Sequence, residues 1–348
     1  VQDQKKRKAV ALWLLAGVAM IIIQTLLGGI TRLTGSGLSI TDWKPIMGAM
    51  PPLNETEWNH AFDGYKQIGQ YKILNNAFTL HDFKLIFFWE WFHRLWARLL
   101  GVVFIIGFVV FYSKKYFDKA MIPPFIILFL LGALQGLIGW IMVKSGLNVD
   151  NLYVNPIKLS VHFIAAMLLA CYTLWFALQL LIPESSRVAD KRGAVLTLLL
   201  LLILFFQLVY GAFMAGAKAA GAAPTWPTIL GMWIPAQMST ESWVHHPLNI
   251  HFIHRSTAYL LLLLMGLWAY RQNKKHSSSP LVLKKAMVYS FVLVVFQVVL
   301  GILSVLNANH IQPGHFGIFE LLAETHQMVA MLLLMSLVLN FYLLQKTN

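Results

Sequence analysis

Hydrophobic positions along this chain fall into long, nearly unbroken runs rather than the alternating or one-sided patterns of soluble elements. The runs lie near residues 9–30, 84–112, 121–143, 158–182, 193–215, 248–270, 281–306 and 320–343. A bilayer core about 30 Å thick needs about 20 apolar residues per helix. Inside lipid, each backbone polar group must be satisfied within its own segment, which favours helices. Eight membrane-spanning helices are therefore predicted. Thr79, with Asp82 three residues on, predicts a capping box at the start of the second. The first run follows Lys5-Lys6-Arg7-Lys8 but is too long for the apolar part of a signal peptide. Gly28-Gly29-Ile30-Thr31-Arg32 does not resemble a cleavage site, so the run reads as a retained helix.

Composition agrees. Of 348 residues, 58% are hydrophobic and 12% charged, against about 25% charged in ordinary soluble domains. That excludes disorder, a nucleic-acid-binding domain and an ordinary cytosolic enzyme. The net charge of +13 has a topological source. Lys5, Lys6, Arg7 and Lys8 lie on the same side as Lys114, Lys115 and Lys119, then Arg187, Lys191 and Arg192, then Arg271, Lys274, Lys275, Lys284 and Lys285. The positive-inside rule puts both termini in the cytoplasm. Nucleic acid is not needed as a partner, and contact with membrane lipid on that face is ordinary. The one cysteine, Cys171, rules out an internal disulfide, a Cys-ligated zinc or an iron–sulfur cluster within the chain. Metal chemistry would rest on the twelve histidines, on methionine or on carboxylates.

The chain also repeats itself. Gln is followed four residues later by Gly at Gln24/Gly28, Gln135/Gly139, Gln207/Gly211 and Gln297/Gly301, in the odd-numbered spans. The second and sixth spans carry His93-Arg94 and His254-Arg255; the fourth and eighth carry His162 and His326. His254 follows His93 by 161 residues, Gln297 follows Gln135 by 162, and His326 follows His162 by 164. Such spacing predicts duplication of a four-helix unit: an N-terminal bundle over 1–183 and a C-terminal bundle over 184–348, related by a pseudo-twofold axis along the membrane normal. The fold class expected is an all-α integral membrane protein.

Ionisable side chains within spans are costly and usually face the bundle interior. All four repeated histidines come early in spans that enter from the outer side, at similar shallow depth. Two on facing helices of each half could supply the axial ligands of a haem iron. Glu90 shares a helix face with His93, and the second half has His251 in its place. Only one of the two sites then has a carboxylate for proton chemistry. Arg94, Arg98 and Arg255 are candidate partners for haem propionates. The Gln-x-x-x-Gly pairs read as close helix packing with an interhelical hydrogen bond. His60, His81, His245, His246, His310 and His315 have no counterpart in the repeat and read as hydrated loop residues.

Several stretches resemble the haem A synthase family: Gly28 to Ser39 (GGITRLTGSGLS), Trp43-Lys44-Pro45, Pro51-Pro52-Leu53, Glu57-Trp58 and Glu90-Trp91-Phe92-His93-Arg94. The resemblance implies an oxidoreductase that converts haem O to haem A for cytochrome oxidase, oxidising the methyl group on pyrrole carbon 8 to a formyl group. It maps the substrate haem onto His93 and His162, a haem b cofactor onto His254 and His326, and the essential glutamate onto Glu90. Haem O synthase and an electron-transfer protein are the implied partners, in a bacterial inner membrane, and self-association stays open. Some members carry cysteine pairs in their outer loops; this chain has none there and resembles the branch without them. The rival readings are a di-haem b-type cytochrome that only carries electrons, and a transporter or scaffold with structural histidines. On sequence alone, His251 and His254 both remain open as the second-half ligand.

Overall fold

A computed structural model describes residues 2–42, 47–311 and 316–345. Trp43-Lys44-Pro45 and His315 lie outside the described residues. Among the described residues ten α-helices follow in order: α1 (Gln2–Leu33), α2 (Glu55–Lys66), α3 (Gly69–Ile73), α4 (Leu80–Ser113), α5 (Ile122–Lys144), α6 (Pro156–Leu181), α7 (Lys191–Gly216), α8 (Pro247–Lys275), α9 (Leu281–Leu306) and α10 (Ile318–Leu343). All but α2 and α3 are long and apolar enough to cross a membrane. They coincide with the eight predicted runs. Among the described residues there is no strand, only isolated bridges. The chain is thus an all-α, multi-span membrane protein.

Helix ends sit where local chemistry favours them. Thr79 and Asp82 form the predicted capping box at the start of α4, and Asn155 caps α6 ahead of a proline in its first turn. Asp190 caps α7 through Gly193 N (2.9 Å), and its carboxylate also meets Lys275 Nζ (2.7 Å) and His276 Nε2 (2.8 Å) at the end of α8. One carboxylate so ties two spans together on the lysine-rich face.

Within residues 1–183, α1 packs on α4 and α6, and α5 packs on α6. In the remainder, α7 packs on α8 and α10, and α9 lies between α8 and α10. The two sets meet where α6 touches α7 and α10, and where α1 touches α10. The main core runs from this meeting region into the second set of helices, with Met167, Leu204, Met265, Met287 and Leu333. Between α9 and α10, Asn340 Nδ2 donates to Ser290 Oγ (2.9 Å) and to the Ala286 carbonyl (3.1 Å). Such polar contacts hold helices together where lipid supplies no hydrophobic drive. At the opposite face, α2 lays Phe62 and Tyr65 on Phe83 and Phe87 of α4, with Leu38 from the preceding loop. Those aromatics anchor the segment that reaches Glu90.

Candidate functional site

Each repeated histidine sits in the same cradle, built by the preceding span. Gln24 Nε2 lies 3.1 Å from His93 Nδ1, Gln135 Nε2 3.2 Å from His162 Nδ1, Gln207 Nε2 3.1 Å from His254 Nδ1, and Gln297 Nε2 3.3 Å from His326 Nε2. One helical turn on, the glycine clears space for the ring. A Cβ at Gly28 would lie 3.1 Å from His93 Cε1, at Gly139 2.9 Å from that of His162, at Gly211 3.4 Å from that of His254, and at Gly301 3.0 Å from that of His326. The Gln-x-x-x-Gly spacing therefore does combine close packing with an interhelical hydrogen bond. Its partner in every case is the histidine.

The cradles share one deficit. The side-chain oxygens of Gln24, Gln135, Gln207 and Gln297 are all buried without a hydrogen-bond partner. Buried polar atoms are rarely left so, and turning each amide over would set its oxygen against the histidine as acceptor of a ring N–H. His254 and His326 stand with ring centroids 6.3 Å apart and planes at 75°. With metal–imidazole bonds of about 2 Å on each side, that separation has room for one metal atom between the rings. Among the described residues no three His, Cys, Asp or Glu side chains gather as a metal cage. The spacing of His254 and His326 fits an iron held between two imidazoles.

Glu90 is buried beside His93, and both its oxygens are engaged. Oε2 accepts from Ser39 Oγ (2.7 Å) and Ile40 N (2.9 Å); Oε1 accepts from Arg94 Nη2 (2.5 Å). Arg94 also donates to the Ile40 carbonyl (3.2 Å). The carboxylate is paired and fixed. In the second half His251 stands at the matching place. Its Nε2 donates to the Ala219 carbonyl at 2.7 Å, and Arg255 Nη2 donates to its Nδ1 at 3.0 Å. Both ring nitrogens of His251 are thus occupied, whereas His254 faces His326. Arg255 further donates to the carbonyls of Ala223 and Thr225, each at 2.8 Å. Arg98 Nη1 donates to the Arg94 carbonyl (2.9 Å). All three arginines that the sequence suggested for propionates are therefore bonded to protein.

Three residues escaped the sequence reading. His276 is buried against Asp190 rather than free in a loop. Glu324, two residues before His326, is buried, and its Oε2 has no hydrogen-bond partner. As an acid within a span it carried a signal. Arg32, at the end of α1, has a buried Nε without a partner; the family-like stretch included it, with no role attached.

The cradled histidines and the fixed glutamate can be set beside known proteins. Residues 11–338 match the family described as cytochrome oxidase assembly protein. The chain belongs to this family. Its relatives include the haem A synthase of Parvibaculum lavamentivorans, 41% identical over 78% of this chain and 80% of that protein. The haem A synthase of Flavobacterium psychrophilum is 37% identical over 95% and 96%. That of Paracoccus denitrificans is 37% identical over 91% and 86%. Membership of the cytochrome oxidase assembly family thus covers both halves of the repeat.

Proposed function

We propose that this chain is an oxidoreductase that converts haem O to haem A. The methyl group on pyrrole carbon 8 becomes a formyl group by successive hydroxylation and loss of water. One observation carries the reading: four histidines lie in equivalent Gln/Gly cradles, and a fixed carboxylate stands beside only one pair. That is the asymmetry expected of one substrate site and one resident cofactor site.

In this reading residues 1–183 and 184–348 are two bundles. His93 and His162 hold the substrate haem; His254 and His326 hold haem b, with His251 left to structural work. When bound, haem b supplies a one-electron relay. The chain's own residues do the rest. The four glutamines orient the imidazoles, much as outer partners orient metal-bound histidines elsewhere. Glu90, held by Ser39, Ile40 and Arg94, keeps a negative charge in place where positive charge develops on the oxidised carbon. Preorganised charge in a dry site is worth far more than the same charge in water. The lysine-rich face and both termini lie in the cytoplasm of a bacterial inner membrane, with the haem sites toward the outer face. Haem O synthase and an electron-transfer protein are the partners.

Pigment extraction from cells expressing haem O synthase with this chain tests the reading. Wild type yields haem A and a purified protein containing haem b. Glu90→Ala loses haem A and keeps haem b. Normal haem A in that variant overturns the role of Glu90, and a purified wild type with no Soret band overturns the haem reading altogether.

A further inference from the structure

Arg32 is an arginine in a membrane-spanning helix whose guanidinium meets no hydrogen-bond or ion-pair partner among the described residues, and whose Nε is buried. It lies in the last turn of α1, and buried charges in membrane proteins are ordinarily paired or functional. The other arginines near the histidines are engaged: Arg94 with Glu90, Arg98 and Arg255 with backbone carbonyls. Arg32 stands apart from that pattern.

Its neighbours compound the charge instead of cancelling it. Lys218, just past the end of α7, brings its ammonium to 3.6 Å from the centre of the Tyr153 ring. Arg32 acts electrostatically on both Tyr153 and Lys218. Partial desolvation and the Arg32 charge pull the Lys218 pKa down to about 8. Among the described residues neither cation has an acidic ion-pair partner. Lys218 also adopts a left-handed backbone, φ +50°, which disfavours side chains. The same place in the first half, eleven residues after the repeat glutamine, is Gly35 with φ +71°. A lysine at a position suited to glycine, set over Tyr153 within the field of an unpaired arginine, points to a ligand of opposite charge.

The location says which ligand. Arg32 lies one helical turn beyond Gly28, the residue against His93. Tyr153 lies three residues before α6, the helix of His162. The two carboxylates are the charged end of a porphyrin and favour water over lipid. We propose that Arg32 and Lys218 together bind a propionate carboxylate of the porphyrin held at His93 and His162. The second half so contributes a cation to the first half's site, and the site is incomplete without it. This rests on the proposed function.

The test is titration of the purified, haem b-loaded full chain, in zwitterionic lipid discs, with haem O and with its dimethyl ester. Lys218→Gly suits the left-handed backbone, so it removes the charge without straining the fold; Arg32→Gln is its companion, and Lys218→Arg the conservative control. Loss of a charge-assisted bond predicts roughly ten-fold weaker haem O binding for Lys218→Gly and for Arg32→Gln. Lys218→Arg recovers most of the affinity, and all forms bind the ester alike. Unchanged haem O affinity overturns the proposal, as does an equal loss for acid and ester. A loss seen only in discs containing phosphatidylglycerol, equal for acid and ester, assigns the pair to a lipid phosphate and also overturns it. Wild type that binds no haem O overturns the functional reading instead.

Discussion

Gly28 and His93 are in direct apposition: a Cβ on the glycine would stand 3.1 Å from the imidazole Cε1. The tolerance differs among the four cradles, from 2.9 Å at Gly139 to 3.4 Å at Gly211. Alanine at Gly211 meets ordinary van der Waals contact, whereas at Gly139 the ring of His162 has to move. Haem content per protein, read from the Soret band, is expected near wild type for Gly211→Ala. Gly301→Ala, with 3.0 Å at His326, is expected to lose most of the haem b. Equal retention by both variants would contradict the cradle.

Gly29 faces the carboxylate of Glu324 across the contact of α1 with α10, so closely that a Cβ would overlap it. Gly29→Ala is expected to destabilise the protein by about 1–3 kcal/mol, as overpacking does. Glu324→Ala removes the obstruction, so the double variant should regain much of that loss. Thermal unfolding in detergent, read as a double-mutant cycle, checks the coupling. Additive effects would separate the two residues.

The His251 and His254 assignments separate in pigment analysis. His254→Ala is expected to abolish haem b binding. His251→Ala should keep it and lower stability by about 1–3 kcal/mol, because the Ala219 carbonyl and Arg255 each lose a buried partner. Loss of haem b from His251→Ala with retention in His254→Ala would reverse the assignment.

Asp190 gives a pH dependence. Burial pushes its pKa up, but hydrogen bonds from Lys275, Gly193 and His276 outweigh this and hold it at about 2. A carboxylate depressed on folding stabilises fully above its unfolded value of about 3.9 and loses that contribution as pH falls through the folded one. The shift corresponds to about 2 kcal/mol at neutral pH. Asp190→Asn should therefore lower the unfolding midpoint at pH 7, with the gap to wild type closing between about pH 5 and pH 2. A gap independent of pH would mean that the ionised form contributes nothing.

The spans were legible because apolar runs of helical length are a one-dimensional signal. The Gln, Gly and His positions were legible because the halves repeat them. What the sequence could not assign were partners brought together only by packing. Glu324 meets Gly29 across most of the chain, and His276 meets Asp190 across 86 residues. Neither pairing has a counterpart in the repeat. The arginines show the opposite case: Arg94 and Arg255 were conspicuous by position, yet loop carbonyls unseen in the linear pattern take up their donors.

Glu90 and His251 occupy matching places, and each holds down the loop that follows the first helix of its half while bonding the arginine four residues on. The mechanical task is the same, but the electrical character is not. Where the tether is a carboxylate, it sits in an ion pair with its arginine; where it is an imidazole donating to a carbonyl, the arginine bonds only neutral acceptors among the described residues. One side chain thus changes the charge balance beside a repeated histidine while the tether to the loop and the bond to the arginine stay the same.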